Sequence, residues 1–328
     1  MRALYTGLAA YLVLGACAPS PEAASTAAFP RSMSVEWPTH PPTASSPALV
    51  FSPYGRGREI VLFDRLYQQY KTVQWTSGPE GGGVVAFDSD ANLYLADEGT
   101  PTPSGHDVLI FHPPYSAPPV KLSVGATHIA AGIAIDKENS VFAVVAIGST
   151  ASQDTRVVFF KTGQTVPCAT VSLGNGLFDR GGAFDAEGSL FVAEFTGGGY
   201  LHFISIAGEC NPQKPIVYSP TFRDTVADWE FNPSDDFVVD TGIIGVQTYA
   251  HPRDGAFGQP LKTTTLGKAN GQYVYMDAIS QDGKSIFAIP YVGRNAYLYH
   301  YPAGGAPFKT IPTNTSEGTL AINPPEVP

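Results

Sequence analysis

From about residue 83 onward the chain alternates between short apolar runs and short polar breaks, and the alternation repeats. Ala86-Phe87-Asp88 is followed by Leu93-Tyr94-Leu95, Ala134-Ile135-Asp136 by Val141-Phe142-Ala143, and Ala183-Phe184-Asp185 by Leu190-Phe191-Val192. Glu230-Phe231-Asn232 leads to Phe237-Val238-Val239, and Ala278-Ile279-Ser280 to Ile286-Phe287-Ala288. Ala321-Ile322-Asn323 ends the series. Successive polar positions are 48, 49, 47, 48 and 43 residues apart. A short polar side chain there bonds the backbone two residues on and closes a tight hairpin. Each triplet therefore predicts the end of one strand and the turn into the next. Two more apolar runs follow within a unit, as in Arg156-Val157-Val158-Phe159-Phe160 and then Ala169-Thr170-Val171. Four short strands in about 48 residues have the size of a propeller blade.

The two ends of the chain complete the count. Residues 48 to 75 hold three runs, Ala48–Phe51, Glu59–Phe63 and Tyr70–Trp75, with no innermost strand before them. Gly318–Asn323 is an innermost strand with no blade after it. Joining them makes a sixth blade and removes the open edges that a linear array would expose. The expectation is an all-β fold: a six-bladed propeller of four-stranded blades over residues 48–328, closed by its C-terminal strand. The stretch Gly83-Val84-Val85-Ala86-Phe87-Asp88-Ser89-Asp90-Ala91-Asn92-Leu93-Tyr94-Leu95-Ala96-Asp97 resembles the repeats of NHL-like and SMP-30-like propellers. The resemblance extends over nearly all of that domain. Such propellers include lactonases, lyases, ligand-binding domains and scaffolds, so the fold leaves function open.

Composition agrees with the pattern. The 34 Gly and 29 Pro are too many breakers for a helical bundle, and a chain 43% hydrophobic is too apolar for disorder. The net charge of −10, with no long basic stretch, argues against a nucleic-acid partner. The N-terminus carries an address. Arg2, the apolar run Ala3–Val13 and Leu14-Gly15-Ala16-Cys17 resemble a bacterial lipoprotein signal over residues 1–16, with Cys17 acylated. Residues 17–47, rich in Pro, Ser and Ala, read as a tether. The protein is then expected to be exported and held on the cell-envelope membrane by its lipid. Ala18, rather than Asp, after the Cys resembles lipoproteins sent to an outer membrane.

Candidate chemistry comes from residues that break the repeat. Glu230 stands where the other units have Ala86, Ala134, Ala183, Ala278 and Ala321. Trp229 and Asp228 precede it, and Asp277 lies on the innermost strand of the next blade. Asp97, Glu194 and Asp240 fall at or near the ends of second strands. A carboxylate on an innermost strand is costly to bury alone; it faces the channel, meets a cation or pairs with a base. Hard oxygens converging on a channel suit Ca²⁺ or a similar ion, with Glu230, Asp277 and Glu194 as candidate ligands. Strand-end acids also bond nearby backbone N–H groups, so both roles stay open. His106 and His128 fall on the expected functional face as candidate bases. Cys168 and Cys210 fall in third-to-fourth-strand connections of adjacent blades, which places them at one level for a disulfide in an oxidising compartment.

The resemblance to SMP-30-like lactonases implies a metal held by Glu, Asn and Asp from different blades. Glu317-Gly318 and Glu80-Gly81 resemble the family's Glu-Gly opening, but neither is followed by its Pro and aromatic. No complete catalytic constellation is present. The leading expectation is a lipid-anchored binding module for a protein, glycan or small ligand. The alternatives are a metal-dependent hydrolase or lactonase acting in the channel, and a structural scaffold of an envelope complex.

Overall fold

The polar residue that ends each triplet makes its turn through its side chain. Asp88 Oδ1 accepts the N–H groups of Asp90 and Asn92, Asp185 Oδ1 those of Glu187 and Ser189, and Asn232 Oδ1 those of Ser234 and Asp236. The chain folds back, and the flanking runs pair antiparallel, with Ala86 opposite Tyr94 and Glu230 opposite Val238. The computed structural model describes residues 49–53, 58–75, 83–96, 108–125, 127–136, 138, 140–148, 154–196, 200–223, 228–242, 245–280, 282–290, 294–313 and 318–322, all within one compact unit. The expected signal over residues 1–16, Cys17 and the expected tether lie outside the described residues. No described helix is long and apolar enough to cross a membrane.

The strands form six sheets. Blade 1 is assembled from both chain ends: Gly318–Ile322 is innermost and pairs Leu49–Pro53, with Val50 opposite Ala321. The innermost strands of blades 2 to 6 are Val85–Phe87, His128–Ile135, Leu177–Phe184, Trp229–Phe231 and Val274–Ile279. Each lies against the innermost strand of the next blade, and that of blade 6 lies against Gly318–Ile322, so the ring closes. The chain is an all-β, six-bladed propeller. We call the face where the innermost strands begin the upper face.

Alternation along each strand sends side chains to the two neighbouring blades in turn. The apolar ones collect in six clusters, one per seam. The seam between blades 4 and 5 is aromatic, built on Phe191, Phe203, Trp229, Phe237 and Phe257. Blade 4 departs from the repeat in its outer strand, which is split. Ile216–Val217 pairs one end of the third strand, and Phe222–Arg223 pairs the other. Between them Ser219 leaves the blade: its N–H donates to Gly255 O and its carbonyl accepts from Phe257 N–H, both in blade 5.

Candidate functional site

Glu230 lies opposite Val238, and Val238 belongs to the seam between blades 5 and 6. Residues directly opposite share a face, so Glu230 enters that seam where the other blades place alanine. Trp229, one residue on, turns the other way and packs edge-on against Phe203, ring centroids 5.3 Å apart. Asp228 returns to the side of Glu230 at the upper end of the strand. Asp240, at the end of the second strand, donates its N–H to Asp228 O at 2.9 Å. Asp277 sits in a β-bulge, at the register shift between Met276 and Ala278. A bulge re-aims the side chain it carries.

Three of these acids bond the backbone of the next blade. Asp240 is 1% exposed; its Oδ2 accepts Met276 N–H at 2.5 Å from blade 6, and its Oδ1 accepts Gly242 N–H at 2.8 Å. Glu230 accepts the N–H of Ile279 in blade 6. Asp277 Oδ2 accepts the N–H of Leu320 in blade 1. The acids thus link blade 5 to 6 and blade 6 to 1 at the channel.

Their electrostatics are one-sided. Burial pushes the Glu230 carboxyl up to about 8, helped by the charge of Asp277 and opposed by the Ile279 N–H. Burial likewise pushes Asp240 up to about 6 against its two backbone donors. Asp228 is held well above the usual carboxylate range by burial and then by the charges of Asp277, Glu230 and Asp240, against one N–H from Trp229. The charges acting on Asp228 are all negative. Glu230 Oε1 is sealed from water and accepts no hydrogen bond, although the residue as a whole keeps some exposed surface. Such a group stays neutral by holding a proton or is matched by a cation. Carboxylate oxygens are the donor type a hard divalent ion takes, although among the described residues no three of these channel acids bring their oxygens within 4.8 Å of one another.

Glu194 is engaged within its own blade. Its Oε2 lies 2.5 Å from His202 Nε2 on the neighbouring strand. Gly176 closes over it, and a Cβ there would stand 2.1 Å from Glu194 Oε1. Asp97 and His106 lie outside the described residues. Cys168 and Cys210 form a disulfide between blades 3 and 4 on the lower face.

Two groupings were not anticipated. Asp136, Glu138 and Glu209 bring ligand oxygens within 4.8 Å of one another, a cluster with the donors to hold a divalent cation. Burial and the charges of Asp136 and Glu138 raise the Glu209 carboxyl. Asp136 was visible as a turn residue, but nothing in the sequence places Glu209 beside it. The second is Arg156 with His128, whose Nδ1 accepts from Arg156 Nη2; His128 was legible alone, and its partner was not.

No family model and no curated protein matches the chain. Among solved structures, it is similar to a protein of unknown function from Bacteroides caccae, with a TM-score of 0.59 and 10% identity over 84% of this chain and 98% of that one. It is similar to a chain of a nidogen/laminin complex, with a TM-score of 0.58 and 14% identity over 84% and 97%. It is also similar to a putative 6-phosphogluconolactonase from Bacteroides uniformis, with a TM-score of 0.53 and 13% identity over 81% and 82%. At these identities the likeness establishes the fold alone.

Proposed function

We propose that the channel end of the seam between blades 5 and 6 holds a divalent cation, Ca²⁺ or a similar ion, and that the protein acts there as a metal-dependent hydrolase of lactone-type esters. The observation that carries this is Glu230 Oε1, a carboxylate oxygen sealed without a donor beside Asp228, whose pKa burial and the charges of Asp277, Glu230 and Asp240 raise. The fold likeness to a putative 6-phosphogluconolactonase supports the substrate class. Glu230 and Asp228 are the residues to hold the ion, with Asp277 adding negative charge. When bound, such an ion polarises a carbonyl oxygen and lowers the pKa of water. Asp240 positions Met276 and Gly242, and so the strand that carries Asp277.

A non-catalytic binding module is favoured by a different observation: Asp240, Asp277 and Glu230 each already accept a backbone N–H across a seam. Assay of the purified chain with Mn²⁺ or Ca²⁺ against a panel of lactones separates the two. Hydrolysis that is lost together with the bound ion in Glu230→Gln supports the enzyme. No turnover on any lactone with the ion bound supports the module. We further propose export and lipid anchoring through Cys17. Globomycin treatment or Cys17→Ser then blocks maturation, and unchanged processing contradicts the anchor.

A further inference from the structure

A second polar cluster lies at the upper rim of the seam between blades 2 and 3. His128 is the first residue of the innermost strand His128–Ile135, and Arg156 is the second residue of the third strand, Thr155–Lys161. Arg156 shares its strand face with Val158, which is part of that seam's apolar cluster.

The donors here outnumber the acceptors. Arg156 Nη2 donates to His128 Nδ1, and Thr127 Oγ1 lies 3.0 Å from the same nitrogen. A neutral imidazole that accepts at Nδ1 carries its proton on Nε2. That Nε2 is sealed from water without a well-formed hydrogen bond, and so is Arg156 Nε. The Asp154 carbonyl, which also accepts Gly148 N–H at 3.0 Å, lies beside the ring and favours its proton, at a geometry short of a well-formed hydrogen bond. The Asp154 carboxylate accepts from Ser172 Oγ at 2.7 Å, and its charge acts on the Arg156 guanidinium through space. Gly125, at φ 116°, leaves room for the cation: a Cβ there would stand 2.9 Å from Arg156 Nη2. His128 is 4% exposed, and burial and then the Arg156 charge hold its pKa below the ordinary value, against the Asp154 charge.

A buried imidazole whose N–H lacks a well-formed acceptor, beside a guanidinium whose Nε lacks one too, is a built acceptor for an anion. We propose that Arg156 and His128 form an anion subsite that takes the carboxylate or phosphate oxygens of a small ligand at the upper face. The subsite stands apart from the channel acids and does not require a cation there. An oxyanion seated on it favours imidazolium: Nδ1 gains a proton and no longer accepts from Arg156, whose Nη2 turns to the anion, and the His128 pKa rises.

The test is a titration of the full chain followed through its histidine ring resonances, with His128 assigned by its loss in His128→Gln. Inorganic phosphate and acetate are added in separate arms, with chloride at equal ionic strength as the control. The expected result is a saturable shift at His128 with a rise in its pKa, on the order of tenfold weaker in Arg156→Gln, as for one charge-assisted hydrogen bond. The stronger arm tells a phosphate ligand from a carboxylate. Arg156→Lys, which keeps charge without the fork, falls between and serves if Arg156→Gln does not fold. A shift that chloride reproduces, equal affinity in Arg156→Gln, or a His128 pKa indifferent to both anions overturns the proposal.

Discussion

The seam between blades 3 and 4 and the seam between blades 5 and 6 solve the same problem with different materials. In the first, both innermost strands run eight residues, His128–Ile135 and Leu177–Phe184. Gly132 meets Gly181 so closely that a Cβ at 132 would stand 2.1 Å from Gly181 N. Apolar side chains fill the rest, and the Cys168–Cys210 disulfide ties the lower face. In the second, the innermost strand of blade 5 is three residues, Trp229–Phe231, and carboxylates carry the bonds across the channel end. Apolar packing and a covalent tie ask nothing of pH or of ions; in this seam only the rim cluster of Asp136, Glu138 and Glu209 on the lower face carries such groups among the described residues. A seam stapled by buried acids depends on how those acids are neutralised. The repeat sets where blades meet, and the residues that break it set which meeting responds to chemistry.

Removing the covalent tie tests the stable side of the contrast and carries the largest effect. Cys168→Ser with Cys210→Ser opens a crosslink spanning 42 residues. The double variant is expected to lose about 4 kcal/mol, or roughly 8 °C in Tm by calorimetry. A loss below about 1 kcal/mol would show that the apolar seam holds blades 3 and 4 without it.

Asp240→Ala tests the acidic side. It strips the acceptor from Met276 and Gly242 N–H groups in a buried seam, a cost of about 2–3 kcal/mol measured by urea unfolding. Asp240→Asn, which keeps one acceptor oxygen, costs less. If both cost no more than a surface change, the staple is not what joins blades 5 and 6.

The pH dependence sharpens the comparison. Glu230 and Asp240 have folded pKa values above the ordinary ones, about 8 and about 6. The folded state therefore holds protons that the unfolded chain releases, and the contribution of these two groups to stability is fully present at low pH. It is lost as pH rises through the folded values, opposite to the trend of a salt-bridged carboxylate. Between about pH 5 and pH 8 the Tm is expected to fall by on the order of 5 °C in metal-free protein. The slope flattens in Glu230→Gln, while the double cysteine variant keeps it. A Tm that rises over that range contradicts the burial of these acids.

Much of this was legible in the chain. The Asp88, Asp136 and Asp185 turns gave the strand ends, and the unmatched strand at Gly318 gave the closure. Glu230 stood out because five equivalent positions are alanine. The rest depended on contacts between distant segments. Asp277 reaches blade 1 only because a bulge turns it there. Glu194 reads as a strand-end acid, yet the strand register sets it opposite His202. Ser219 splits the outer strand of blade 4 because it bonds a loop of blade 5. Pairings of this kind depend on register and on neighbouring blades, which a repeat pattern does not encode.

The central claim is that the channel acids hold a divalent cation, and the direct measurement is calorimetric titration of Mn²⁺ or Ca²⁺ into metal-stripped protein. We predict saturable binding that is lost in Glu230→Gln and unchanged in Glu138→Gln. Absence of binding contradicts the claim. Binding that survives Glu230→Gln and vanishes in Glu138→Gln also contradicts it, and would place the ion on the lower face with Asp136 and Glu209.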